Sequence, residues 1–155
     1  MKTPSPDTTV VREVEIRYRG RGRMTKSPVA RPEHFVHLAR RIVSDDAREH
    51  FLALYLDGRH RPVGHSVVSV GTATASLVHP REVFQSALML GAVALLVGHN
   101  HPSGDPRPSS EDEHLTKRLV QAGQLLGVRL LDHVIWTRDG GYHSFVERGG
   151  LPSGN

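Results

Sequence analysis

The sequence predicts an α/β protein, a mixed α+β sheet with helices packed on its faces. Three features carry that prediction. Strand-like and helix-like segments alternate along the chain. Ala92 to Val97 is a short continuous apolar run, and helical stripes begin at Pro32 and at Pro80. Continuous apolar runs belong to strands covered on both faces. Proline suits a first helical turn because it has no amide hydrogen to lose there. Layers of helix on sheet are how such an alternation buries its apolar surface.

The elements follow in order. Val10 to Arg19 alternates apolar and polar side chains (Val10, Val14, Ile16, Tyr18), as a half-buried strand does. Gly20 to Ser27 is rich in Gly and Arg and predicts a loop. Residues 1–28 are therefore expected to be an N-terminal extension with one strand and a basic loop, residues 29–148 the domain, and 149–155 a frayed tail. After Pro32, the residues Phe35, Leu38, Ala39 and Ile42 recur at helical spacing up to Ser44-Asp45-Asp46. Phe51 to Leu56 predicts a buried strand, Val63 to Val70 a second, and Gly71 to Ser76 a loop. Val83, Phe84, Ala87, Leu88 and Leu90 make the inner face of the Pro80 helix. Ser109 to Leu126 is the clearest helix, with Leu115, Leu119, Ala122 and Leu126 in one stripe. Val128 to Thr137, the Asp139-Gly140-Gly141 turn and Tyr142 to Val146 predict a closing hairpin.

Composition narrows the chemistry. A chain of 155 residues fits one domain with a core of its own. The absence of cysteine excludes disulfides, thiol nucleophiles and thiolate metal ligands together. The segment Met1 to Pro6 is polar and lacks an apolar core, and the longest apolar run is too short to span a bilayer. A cytoplasmic protein without a membrane partner is the expectation. Net charge is +4, but the six basic residues between Arg17 and Arg31 face no acid, and without them the balance is −2. Attraction to a polyanion such as DNA is therefore assigned to that segment, with Arg17, Arg19, Arg21 and Arg23 as its candidates.

The informative stretch is Val97-Gly98-His99-Asn100-His101-Pro102-Ser103-Gly104-Asp105-Pro106-Arg107-Pro108-Ser109-Ser110-Glu111-Asp112. His99 and His101 follow an apolar strand two residues apart, and in extended backbone residues i and i+2 share a side. Pro102 keeps His101 extended. A loop stiffened by prolines then leads to a helix whose first turn carries Asp112 as a third ligand. Two imidazoles and a carboxylate suit zinc, and three protein ligands leave a fourth position for water, the arrangement of a catalytic site. Asp112 also has an ordinary reading, an acid at the positive end of a helix, and Ser109 with Asp112 can be a plain capping box.

His-x-His-Pro followed by Ser109 and Asp112 resembles the motif of the JAMM (JAB/MPN+) metalloprotease superfamily. The longer string HNHPSGDPRPSSED resembles its RadC family in particular, as do Ser76-Leu77-Val78-His79-Pro80-Arg81-Glu82-Val83-Phe84 and Leu130-Leu131-Asp132-His133-Val134-Ile135. The resemblance covers about residues 30 to 148. It implies a JAB/MPN-type, cytidine-deaminase-like sandwich holding one zinc ion per chain on His99, His101 and Asp112. It further implies hydrolysis of a peptide or isopeptide bond in a protein substrate, with Ser109 stabilising the oxyanion. The superfamily's glutamate ahead of a strand matches Glu49, with Glu82 as the rival. Asn100 stands where many JAMM proteases have Ser or Thr. The chain is expected to be a short form without the helix-hairpin-helix module often found in RadC proteins.

Other candidates complete the reading. His34 and His37 are helix-spaced but have no third ligand nearby in sequence. Asp132 and His133 sit in an apolar strand run, either as outer support for a metal site or as a buried pair satisfying backbone groups. His143 and Ser144 are strand neighbours that face opposite ways, so they form no dyad. The alternative function is a nucleic-acid role, as a metallonuclease or a DNA-repair or recombination accessory. A metal-free interaction scaffold is the third reading, and the complete ligand set speaks against it.

Overall fold

Eight elements follow one another in the computed structural model, which describes Glu15, Gly20, residues 26–71 and residues 78–151. They are α1 (Pro32–Ile42), β1 (Glu49–Leu56), β2 (Pro62–Gly71), α2 (Pro80–Met89), β3 (Ala94–Asn100), α3 (Ser110–Leu126), β4 (Arg129–Trp136) and β5 (Tyr142–Ser144). Apart from Glu15, the strand read over Val10 to Arg19 lies outside the described residues, and so do Arg17, Arg19, Arg21 and Arg23.

The strands form one mixed sheet in the order β2-β1-β3-β4-β5. Among the described strands only β3 and β4 run parallel, with α3 as the crossover between them. The neighbouring pairs β1–β2, β1–β3 and β4–β5 are antiparallel. With the three helices found among the described residues this is the α+β architecture that the alternation of segments predicts.

Side chains alternate across the sheet, and each face has its own core. Phe51, Ala53 and Tyr55 of β1 and Leu95 and Val97 of β3 pack with Val83 and Phe84 of α2 and Leu115 and Leu119 of α3. Leu52, Leu54 and Leu56 of β1 and Ala94 and Leu96 of β3 pack with Phe35, Val36, Leu38 and Ala39 of α1. The central strands are thus covered on both sides, which is why they read as unbroken apolar runs. The same alternation carries His99 and His101 to the face where α2 and α3 lie.

The boundaries differ from expectation where side chains intervene. The central strand runs to Asn100, so His99 is a strand residue and not a loop residue. β2 extends through Gly71, one residue into the expected loop, with Gly71 opposite Glu49. β5 stops at Ser144, short of Val146. There the Asp132 carboxylate takes the Val146 amide at 3.0 Å, and the Ser144 hydroxyl oxygen takes the Glu147 amide at 3.1 Å, so the chain turns away from the ladder. No helix among the described residues is long and apolar enough to cross a membrane.

Candidate metal centre

β3 presents His99 with 1% of its surface exposed, and the ladder register places it opposite Phe51 of β1 and Ile135 of β4. The chain then leaves the strand in a controlled way. The His101 amide still donates to the Trp136 carbonyl at 2.9 Å. Gly104, at φ 85, turns the backbone and donates to the His101 carbonyl at 3.1 Å. The His101 ring donates from Nδ1 to the Asp105 carbonyl at 2.7 Å. Asp105 is anchored in turn by Arg107, whose guanidinium and amide hold its carboxyl down at about 2.

The loop ends at Ser109, the N-cap of α3. Its Oγ accepts the Asp112 amide at 3.1 Å, and its own amide donates to Asp112 Oδ2 at 2.8 Å. This capping box satisfies two amides at a helix start that otherwise lack partners. It also fixes the Asp112 side chain, which is 3% exposed, against the histidines.

The three groups converge. His99 Nε2 lies 2.9 Å from His101 Nε2 and 3.2 Å from Asp112 Oδ1, and His101 Nε2 lies 3.5 Å from Asp112 Oδ2. One ligand atom from each can be chosen so that all lie within 4.8 Å of one another. The Nδ1 atom of each ring is already engaged, by His133 Nε2 at 2.9 Å for His99 and by the Asp105 carbonyl for His101. The two Nε2 atoms and a carboxylate therefore face each other, and a carboxylate has no hydrogen to offer. Either a shared proton or a metal cation reconciles such a set, and two imidazoles with a carboxylate are a donor set that fits a metal ion.

The electrostatics agree. Burial alone would push the Asp112 carboxyl up, but its contacts with the His101 and His99 rings outweigh it and hold the group far below the usual carboxylate range. Burial also pulls His101 down, yet its bonds to Asp112 and to the Asp105 carbonyl leave it raised. Glu49 begins β1, with Oε1 4.0 Å from His99 Nε2. Burial pushes its carboxyl up, against a partial pull from His99 and His101.

The other residues singled out from sequence separate clearly. Glu82 closes the capping box of α2, accepting the His79 amide at 3.0 Å. The Asp132 carboxylate holds backbone, taking the amides of His133 at 2.8 Å and Val146 at 3.0 Å and the Ser144 hydroxyl. His133 touches a candidate ligand, His99. The exposed His34 and His37 belong to no metal-binding group found among the described residues.

Two residues have roles that the sequence did not announce. Asn100, between the histidines, accepts the buried His50 amide at 2.7 Å and donates to the Arg48 carbonyl at 2.8 Å. It thereby grips the peptides on both sides of Glu49. Thr116, one helical turn after Asp112, is buried and bonds both the Asp112 carbonyl and His133 Nδ1. A polar residue on the inward stripe of α3 was the available signal.

A sheet that delivers two histidines to a capped helix carrying a carboxylate defines a protein built around a candidate metal centre. The sequence profile of the RadC-like JAB domain matches residues 29–151, and the chain belongs to that family. Among its relatives, a UPF0758 protein of Geotalea uraniireducens is 49% identical over 117 residues, which is 76% of this chain and 49% of that protein. One of Pelobacter propionicus is 52% identical over 107 residues, 69% of this chain and 46% of the relative. One of Methanosarcina mazei is 44% identical over 124 residues, 80% of this chain and 54% of the relative. The chain thus spans about half the length of the curated relatives it matches.

Proposed function

We propose that the protein is a zinc-dependent hydrolase of amide bonds, a JAMM-type peptidase or isopeptidase. The observation that carries this reading is the convergence of His99, His101 and Asp112 with the raised Glu49 carboxylate beside them. Zinc held there would supply a Lewis acid that acidifies water and polarises a carbonyl. Glu49 is the proton carrier. It takes a proton from the attacking water and returns it to the leaving amine, and a carboxylate raised above its ordinary value by burial suits both transfers. The Ser109 Oγ already accepts the Asp112 amide, so its own hydrogen is the one it offers to the developing oxyanion.

The test begins with zinc content by elemental analysis, expected near one ion per chain in the wild type and near zero in His101→Ala. The zinc-loaded protein is then incubated with peptide, isopeptide-linked and DNA substrates side by side. Glu49→Gln should keep zinc and lose about 10²–10⁴-fold in turnover. Equal, negligible zinc in wild type and variant refutes the reading. Cleavage of DNA alone favours a second one, a nucleic-acid function served by the six basic residues between Arg17 and Arg31.

A further inference from the structure

We infer that Thr116 and His133 form a buried hydrogen-bond relay that sets the tautomer of His99 and directs its Nε2 lone pair at the metal, making both of them positioning residues of the centre. This role presupposes the metal site proposed above.

The assignment follows from counting hydrogens. Thr116 Oγ lies 2.6 Å from the Asp112 carbonyl oxygen. Two oxygens at that distance need a hydrogen between them, and the carbonyl has none, so the Thr116 hydroxyl donates there. A hydroxyl has one hydrogen. The 2.7 Å contact between Thr116 Oγ and His133 Nδ1 must therefore be donated by the imidazole.

His133 is fully buried, stacked on Phe145 with centroids 5.0 Å apart and edge-on to Phe51 at 5.6 Å. Among the described residues its ring bonds Thr116 and His99 and no carboxylate, and a neutral imidazole has one N–H. With that hydrogen on Nδ1, Nε2 holds a lone pair. It faces His99 Nδ1 at 2.9 Å, so His99 is the donor across that contact. A neutral His99 with its hydrogen on Nδ1 has a lone pair on Nε2, the atom that points at His101 and Asp112.

The chain of donors closes on the third ligand's own residue. Asp112 offers its carboxylate to the metal, while its carbonyl, through Thr116 and His133, orients His99. The i, i+4 spacing on α3 places Thr116 directly over Asp112. Reversing any link would have His133 donate from Nε2. His99 would then carry its hydrogen on Nε2, where it cannot ligate. Outer partners of this kind typically change metal affinity by about 10–100-fold when removed.

Two measurements on the 155-residue chain test the relay. Long-range nitrogen–proton correlation spectra of the metal-free wild type should show His133 and His99 both protonated on Nδ1 and bare on Nε2. Competition between the protein and a chromophoric chelator for zinc should show Thr116→Val binding about 10-fold more weakly than wild type, and His133→Phe 10–100-fold more weakly. Thr116→Ser, which keeps the hydroxyl, should restore wild-type affinity. A His133 hydrogen on Nε2 in the wild type overturns the relay. So does wild-type zinc affinity in a folded Thr116→Val together with a folded His133→Phe. If the wild type binds no zinc, the proposed hydrolase fails, while the spectra still decide the tautomers.

Discussion

Replacing Asn100 by Ala should loosen the start of β1 and displace Glu49 while sparing the candidate metal ligands. Asn100 substitutes for backbone at the point where β3 leaves β1. Its Oδ1 takes the His50 amide at 2.7 Å, and its Nδ2 donates to the Arg48 carbonyl at 2.8 Å. The two losses are unequal. The Arg48 carbonyl keeps the His50 ring nitrogen at 2.9 Å, whereas the buried His50 amide loses the acceptor it has in Asn100. An unsatisfied buried donor costs about 1–3 kcal/mol, and the second bond is worth about 1 kcal/mol more, for a total of about 2–4 kcal/mol. For a domain of this length that lowers the melting temperature by about 4–16 °C. The assay is thermal unfolding of the metal-free protein by circular dichroism, with zinc content measured in parallel. Zinc should remain, because His99 and His101 are held by the ladder to β4 and by the Asp105 carbonyl and not by Asn100. A melting point within about 2 °C of wild type is less than a 1 kcal/mol loss produces. It would refute the idea that this side chain clamps the peptides around Glu49.

Two further outcomes follow from the geometry. A Cβ at Gly98 would sit 2.4 Å from the Val134 carbonyl oxygen and 2.4 Å from the Phe35 ring. Gly98→Ala should therefore destabilise by about 1–3 kcal/mol or more, read as a lower midpoint in urea, and an unchanged midpoint would contradict the packing of α1 on β3. His101 is raised from its ordinary 6.5 in the metal-free protein, so its contribution to stability is full below about 6.5 and is lost as pH rises through the folded value. Zinc bound as proposed would have to displace that proton, so affinity should rise about tenfold per pH unit below the folded value and level off above it. Chelator competition across neutral pH measures this, and a flat profile would show that His101 carries no competing proton.

What could be read from the sequence depended on how local the signal was. His99 and His101 declare themselves because a strand's two-residue period puts them on one side. Asp112 declares itself because a helix start is marked by its own side chains. Glu49 could be proposed only through family resemblance, since its distance from His99 is set by the pairing of Phe51 with His99 between strands about fifty residues apart. Asn100 and Thr116 act across elements, on β1 and on β4 respectively, and no spacing within one segment announces that. The strand ends moved for the same reason. Asp132 and Ser144 stop β5 by contacts that only the folded hairpin makes.

Asp112 shows why an ordinary reading and a functional reading of one residue need not compete. A capping acid at a helix start needs no catalytic explanation, and the structure contains that cap in full. Yet the cap uses only Oδ2 and the backbone amide, and Oδ1 is left facing His99 at 3.2 Å. The bond from the Ser109 amide holds the carboxylate in one rotamer before any ion arrives, so less side-chain freedom is lost on binding. The cap and the candidate ligand are then one device. Helix α3 supplies its first turn with an acid for its own stability, and the same acid, aimed by that turn, completes the set that β3 begins.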